Sequence, residues 1–352
     1  MNVSSIPLLF SCGFILTFIL FIVGKKIAPL CGLVDTPSDR KNHIGQIPLI
    51  GGLVIIPVYA LLIFLSDVPS GVGLLPLLLG AFVLLAIGAW DDCVPLKPWL
   101  RFIIQIWIAC YVVIFCGAEL PHLGNLFGFG TVWLGFISKA FSVTCFVLLM
   151  NAMNMLDGMD GLAGGFTAIA LGIFFLVAYE GDAYWMMLSI SLVLVPLTVF
   201  LLFNARYPFH KKASIFLGDA GSLSLALIMG WFAIHSVINS PINQTPEDFL
   251  YAPVLIIWVL SVPIIETFSI FFTRMKQGRS PFEADRLHLH CYLQDKGWKP
   301  QYITPFILLI ALITGAIGYL GLKIGIPDYI LLYIWSAILL GVTYYRRNKF
   351  GK

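Results

Sequence analysis

Charge is scarce in this sequence. Only 11% of its 352 residues are Asp, Glu, Lys or Arg, where a soluble domain carries about 25%. That excludes an ordinary soluble enzyme. The period-two alternation of a membrane β-barrel is also lacking, which excludes that architecture. The seven cysteines include no CxxC pair and lie mostly in or near apolar runs. This excludes a disulfide framework and the usual zinc patterns. The net charge is only +3, too small to indicate a nucleic-acid partner.

What is abundant is apolar. Hydrophobic residues make up 59% of the chain. Eleven stretches approach the roughly 20 residues a spanning helix needs: 7–30, 47–66, 72–90, 99–116, 132–150, 161–180, 184–203, 220–237, 249–272, 303–322 and 329–345. The expected fold is all-α, a polytopic membrane bundle of about 11 transmembrane helices. No linker, internal repeat or low-complexity tract divides it, so residues 1–352 read as one integral membrane domain. Segment 7–30 has no basic residues before its apolar run and exceeds a signal-peptide core in length, so it reads as a retained span.

The basic residues orient the bundle. Of the 21 lysines and arginines, all but Lys139 and Lys323 lie in, or at the helix ends of, one alternating set of connections. That set is 31–46, 91–98, 151–160, 204–219, 273–302 and the C-terminus. The positive-inside rule places it in the cytoplasm, with the N-terminus outside.

Acidic and polar residues collect in compact groups on this same side. "GAWDDC" carries Asp91 and Asp92, "NAMNMLDGMDGLAGG" carries Asn151, Asn154, Asp157 and Asp160, and "SIFLGDAGS" carries Phe216 and Asp219. "SPFEADRLHLHCYL" carries Arg286, His288 and His290. Two spans separate each group from the next, so all four return to one face. Helix capping is the plainer reading for Asp160 and Asp219, each of which precedes a span, and Asp157-Gly158 reads equally as a turn. Capping does not account for adjacent carboxylates at 91 and 92, which repel each other at a membrane edge. Paired carboxylates near cations suit Mg²⁺ and a phosphate substrate. Gly158, Gly161, Gly218 and Gly221 would let the backbone turn and approach a ligand, and the two helix N-termini they flank would suit phosphate oxygens.

Arg286 and His290 share a face of the RLHLH segment whether it is extended or helical, and an arginine fork suits phosphate. The two histidines lack the partners of the usual zinc sites. His43, with Arg40 and Lys41, reads either as ordinary loop or as part of the same basic surface. Glu266 alone sits inside a span, where a buried, neutral or hydrogen-bonded role is expected.

Together "LVDTPSDRKNHIGQIPLIGG", "DD" at 91–92, "NAMNMLDGMDGLAGG", "FNARYPFHKKASIFLGDAGS" and "PFEADRLHLH" resemble the polyprenyl-phosphate N-acetylhexosamine-1-phosphate transferases. They occur in order over residues 33 to about 298. The last motif is similar to the branch that uses UDP-N-acetylglucosamine (UDP-GlcNAc) for envelope polysaccharides. It differs from the branch that uses UDP-MurNAc-pentapeptide, which has a run of histidines before Phe-Glu. Cys291 stands where the UDP-GlcNAc branch usually has another histidine.

The resemblance implies a multi-pass enzyme of the bacterial inner membrane with a cytoplasmic active site. Undecaprenyl phosphate would attack the β-phosphate of UDP-GlcNAc and release UMP. The family needs Mg²⁺ or Mn²⁺. Asp219 would be the main metal ligand and Asn154 a second. Arg286, His288 and His290 would clamp phosphates, and Asp157, Asp160 and Asn151 would hold nucleotide and sugar, with Phe216 against uracil. Asp91 and Asp92 would orient the lipid phosphate for direct attack, the rival being a phospho-aspartate intermediate. A phosphate monoester has a second pKa of about 6, so little base catalysis is needed. Another UDP-N-acetylhexosamine would serve the same chemistry. A secondary transporter is the competing class, since such proteins place ionisable residues near mid-membrane. Membrane lipid is a partner in any case, and a homodimer is left open.

Overall fold

The computed structural model describes residues 6–35, 45–238, 252–280 and 287–350. Arg40, Lys41, His43 and Arg286 lie outside them. Apolar runs become helices because lipid offers no partner for a bare peptide group, so each must be satisfied within its own segment. Among the described residues nine helices are long and apolar enough to cross a membrane. A multi-pass helical membrane protein is therefore what the chain forms. The strands described are one pair of two residues each, β1 (Val34–Asp35) and β2 (Ile47–Pro48), antiparallel.

Two of the eleven apolar stretches do not become one full-length helix. Stretch 47–66 spends its first residues on β2 and on a parallel bridge from Leu49 to Phe216. Its helix runs only Gly51–Leu65, about 22 Å at the α-helical rise. Stretch 249–272 is broken into Val254–Val259 and Ser261–Lys276. Pro263 explains the break: its ring clashes with the carbonyl four residues back, which belongs to Val259, where the first piece ends.

The chain divides into two compact units, Met1–Glu119 with Lys139–Phe232, and Leu120–Ser138 with Ala233–Lys352. The first holds α1 (Ile6–Ile27), α2 (Gly51–Leu65), α3 (Leu74–Cys93), α4 (Pro98–Phe115), α5 (Ser138–Leu156), α6 (Leu162–Glu180), α7 (Tyr184–Asn204) and most of α8 (Gly218–Ile238). Helix α8 is the axis of this unit. It is apolar on all sides, as a fully enclosed helix must be, and Leu225 through Met229 have no exposed surface. Ser224 Oγ donates to Ala81 O of α3 at 3.1 Å, and Trp231 Nε1 donates to Cys116 O, just past α4, at 2.9 Å.

Small residues bring α8 against its neighbours. A Cβ on Gly52 would lie 2.3 Å from Gly221 N and Cα, and one on Gly88 would lie 2.4 Å from Ala220 N and Cα. Backbone therefore meets backbone where α2 and α3 cross the first turn of α8. Main-chain bonds hold the approach to that turn. Phe216 N donates to Pro48 O at 2.8 Å, Gly51 N to Phe216 O at 2.9 Å, and Gly52 N to Leu217 O at 3.0 Å.

The second unit contains α9 (Val254–Val259), α10 (Ser261–Lys276), α11 (Leu289–Asp295), α12 (Pro300–Lys323) and α13 (Asp328–Phe350). Trp258 Nε1 donates to Leu331 O at 3.2 Å and Trp335 Nε1 to Ser261 Oγ at 2.8 Å. Glu266 is hydrogen-bonded here, as its sequence context implies. Its carboxylate accepts Arg346 Nη2 at 2.7 Å and the Leu289 amide at 2.6 Å, with His288 Nδ1 at 3.5 Å. Leu289 opens α11, so Glu266 fixes where that helix starts. Glu266→Ala would leave Arg346, only 5% exposed, without this carboxylate. The expected loss is about 3 kcal/mol, to be checked by thermal unfolding in detergent.

Candidate active site

Four helices of the first unit meet around one arginine. Arg101 sits at the end of the first turn of α4. Its Nη1 donates to Asp91 Oδ2 of α3 at 2.7 Å and to Asp219 Oδ2 of α8 at 2.9 Å. Its Nη2 donates to Asn154 Oδ1 of α5 at 3.1 Å. Asn154 Nδ2 in turn donates to Asp219 Oδ1 at 2.6 Å and to Ser222 Oγ at 3.2 Å. This amide orientation pairs every donor with an acceptor. Asp91 Oδ1 accepts the Leu96 amide at 2.6 Å, which turns the chain from α3 into α4.

Asp92 has a different task. Its two carboxylate oxygens accept the Asp219 and Ala220 amides, at 3.0 and 3.4 Å. These are among the first amides of α8, which have no partner within the helix, so a carboxylate from α3 caps α8. Gly218 makes room for it. Its φ is +77°, and a Cβ there would stand 2.5 Å from Asp92 Oδ2.

The Asp219 side chain therefore does not act as the cap expected of it. The Asp219 carboxylate faces Arg101 and Asn154. That of Asp160 accepts Arg206 Nε at 2.7 Å and the Ala213 amide at 3.0 Å, fastening the loop after α7. At the start of α6 the Gly161 amide donates to Asn204 Oδ1 at 2.7 Å, and Asn204 Nδ2 donates to Ile215 O at 2.8 Å. At these two helix starts the Gly161, Asp219 and Ala220 amides are engaged by side chains. Gly161, like Gly218, has φ +77°. Gly158 is not left-handed, and Gly221 serves helix packing.

The remaining residues singled out in the sequence fall as follows. Asn151, one turn before Asn154, donates through Nδ2 to Gln105 Oε1 at 2.6 Å and to Val147 O at 2.8 Å. Phe216 is half-buried, and its backbone sits in the bridge to Leu49. His288 and His290 belong to the second unit, their rings stacked 5.4 Å apart at 13°.

Asp157 lies between α5 and α6. Burial pushes its carboxyl well above the usual carboxylate range, and the charges of Asp219, Asp92 and Asp160 push it the same way. The folded chain thus holds a proton that the unfolded chain would release near pH 4. The stability this gives is complete below that value and is lost as pH rises through the raised folded value. The protein is expected to melt at progressively lower temperature as pH climbs from 4 through neutrality, and Asp157→Asn is expected to flatten that slope. Thermal scans in chelator across this range check it.

Sequence reasoning did not name Arg101, Asn204 or Arg206. A signal for Arg101 existed. A cation in the first turn of a helix opposes the positive end of its dipole, and a charge within a span is costly. "KPWLRF" shows both, which asks for a carboxylate partner elsewhere.

Residues 74–237 match the family described as glycosyl transferase family 4, a stretch that holds every residue of the Arg101 cluster. Over 314 residues the chain is 32% identical to an undecaprenyl-phosphate alpha-N-acetylglucosaminyl 1-phosphate transferase of Haemophilus influenzae, covering 88% of this chain and 84% of that protein. It is 29% identical over 329 residues to the protein of the same name from Escherichia coli K12, covering 92% and 86%. It is 27% identical over 332 residues to that of Yersinia pestis, covering 93% and 87%. The chain thus belongs to glycosyl transferase family 4, in the same family as the undecaprenyl-phosphate alpha-N-acetylglucosaminyl 1-phosphate transferases.

Proposed function

We propose that this protein transfers N-acetylglucosamine-1-phosphate from UDP-GlcNAc to undecaprenyl phosphate, releasing UMP, at the cytoplasmic face of a bacterial inner membrane. The observation that carries the reading is the meeting of Asp91, Asn154, Asp219 and Arg101, from four helices, at one end of a membrane bundle. Relatives bearing that activity in their names match most of the chain. The basic residues gathered on this side of the chain support a cytoplasmic site by the positive-inside rule.

The donor atoms suit Mg²⁺. They are hard oxygens: two carboxylates, Asp91 and Asp219, and one amide, Asn154. Among the described residues no three His, Cys, Asp or Glu side chains form a metal cage. Mg²⁺ ordinarily takes one or two carboxylates and completes its shell with water and substrate phosphate. Asp219 and Asn154 would hold it. When bound, the ion would neutralise charge on the diphosphate and on the departing UMP.

The chain's own residues supply position. Asp92 pins the first turn of α8 and so places Asp219. Asp157, which burial and its acidic neighbours favour in the protonated form, is suited to donate a hydrogen bond to a phosphate oxygen rather than to act as a base. Asp160 keeps the loop after α7 in place through Arg206.

Membranes containing the protein, given radiolabelled UDP-GlcNAc and undecaprenyl phosphate, test the reading. Label that moves into butanol only with Mg²⁺ supports it. Label that enters sealed vesicles unchanged overturns it in favour of transport. Faster transfer from another UDP-N-acetylhexosamine would keep the reaction and replace the sugar.

A further inference from the structure

We propose that Arg101 is the resident counter-cation of this site, and that a divalent metal ion and the Arg101 guanidinium compete for the same oxygens. The inference rests on the metal reading given under Proposed function.

Three oxygens from three helices are aimed at one guanidinium: Asp91 Oδ2 at 2.7 Å, Asp219 Oδ2 at 2.9 Å and Asn154 Oδ1 at 3.1 Å. Both carboxylates are bound by the same nitrogen, Nη1. Arginine stays charged at every relevant pH, so the pairing cannot be relieved by deprotonation. The oxygens that a hard divalent ion would take are the ones already taken. A divalent ion among them would face the guanidinium at contact distance, and like charges at such range repel strongly where water is partly excluded. Sharing is therefore disfavoured, and one cation leaves when the other arrives.

The exchange is physically open. The side chains of Arg101 and Asp219 are 26% and 28% exposed, while that of Asp91 is 5% exposed. Arg101 and Asp219 can thus be reached from solvent, and the four-bond stem of arginine lets its head move while its base stays in α4. Asp92, engaged with two backbone amides, and Asp91, fixed by the Leu96 amide, keep the carboxylate frame in place during the exchange.

The test uses purified full-length protein in detergent and Mn²⁺ as a spectroscopic probe. Electron paramagnetic resonance titration compares the parent with Arg101→Gln. The expected result is Mn²⁺ binding at least about tenfold tighter in the variant, since a neighbouring positive charge has gone. Equal or weaker binding in Arg101→Gln, with clear binding in the parent, overturns the competition and leaves the metal site standing. Absence of Mn²⁺ binding in both overturns the metal reading and the competition with it.

A second measurement needs no variant. Phenylglyoxal modification of Arg101, followed by peptide mass spectrometry, should be several-fold faster with Mg²⁺ than with chelator, because the metal frees the guanidinium. An unchanged or slower rate overturns the proposal even if Arg101→Gln fails to fold.

Discussion

Asp219→Asn is expected to lower turnover about a thousandfold, the scale seen when one preorganised charge-stabilising group is removed, while the protein still inserts and folds. The substitution is nearly isosteric and takes away no apolar surface. It does remove a charge that Arg101 and Asn154 both address with donors, at 2.9 and 2.6 Å. An amide in its place has only one acceptor oxygen, so its NH₂ must face either the guanidinium or the Asn154 NH₂. The mismatch is local, because the amides of the first turn of α8 are held by Asp92 rather than by Asp219 itself. Lipid-linked product formation and a melting curve separate the two effects. Parent-like turnover at ordinary Mg²⁺ would reject Asp219 as the metal residue.

Gly88→Ala should also do harm, without altering any charged or polar side chain. The new methyl would lie 2.4 Å from the N and Cα of Ala220. These are backbone atoms, so no side chain can swing aside. Either α3 retreats, taking Asp91 and Asp92 with it, or the first turn of α8 retreats with Asp219. A displacement of about 1 Å is enough to cost roughly a hundredfold in rate, and the overpacking itself costs about 1–3 kcal/mol. Gly172→Ala is the control: it lies within α6 and its Cβ would meet nothing within 4 Å. It should stay within about 0.5 kcal/mol of the parent. A Gly88→Ala protein with parent-like rate would mean that the contact between α3 and α8 does not set the site.

The helices were legible in the sequence because lipid imposes one rule on every residue of a span. Where that rule meets a local contradiction the reading slipped. Pro263 split one stretch, and backbone pairing near Leu49 shortened another. In the site, Asp91, Asp92, Asn154, Asp157 and Asp219 were legible because carboxylates and amides at the edge of apolar runs stand out. Their division of labour was not. Asp92 and Asp91 are neighbours, yet one caps a helix 127 residues away and the other meets Arg101. Only the crossing of α3 and α8 assigns them, and that crossing depends on Gly88, whose importance is a distance rather than a chemistry. Arg101 went unnamed because a single cation beside a basic loop looks like one more topological marker.

The engagement of the Asp219, Ala220 and Gly161 amides has a consequence for how an anion is recognised here. Backbone amides grip phosphate at short range, in a manner that dissolved ions scarcely disturb. With those three amides occupied, grip on a diphosphate here leans more on charged side chains and on whatever cation stands among Asp91, Asn154 and Asp219. Such attraction reaches further but weakens as the surrounding electrolyte thickens, over a screening distance of about 8 Å at physiological ionic strength. Donor capture that leans on such attraction is thereby tied to the ionic composition of the solution around the site.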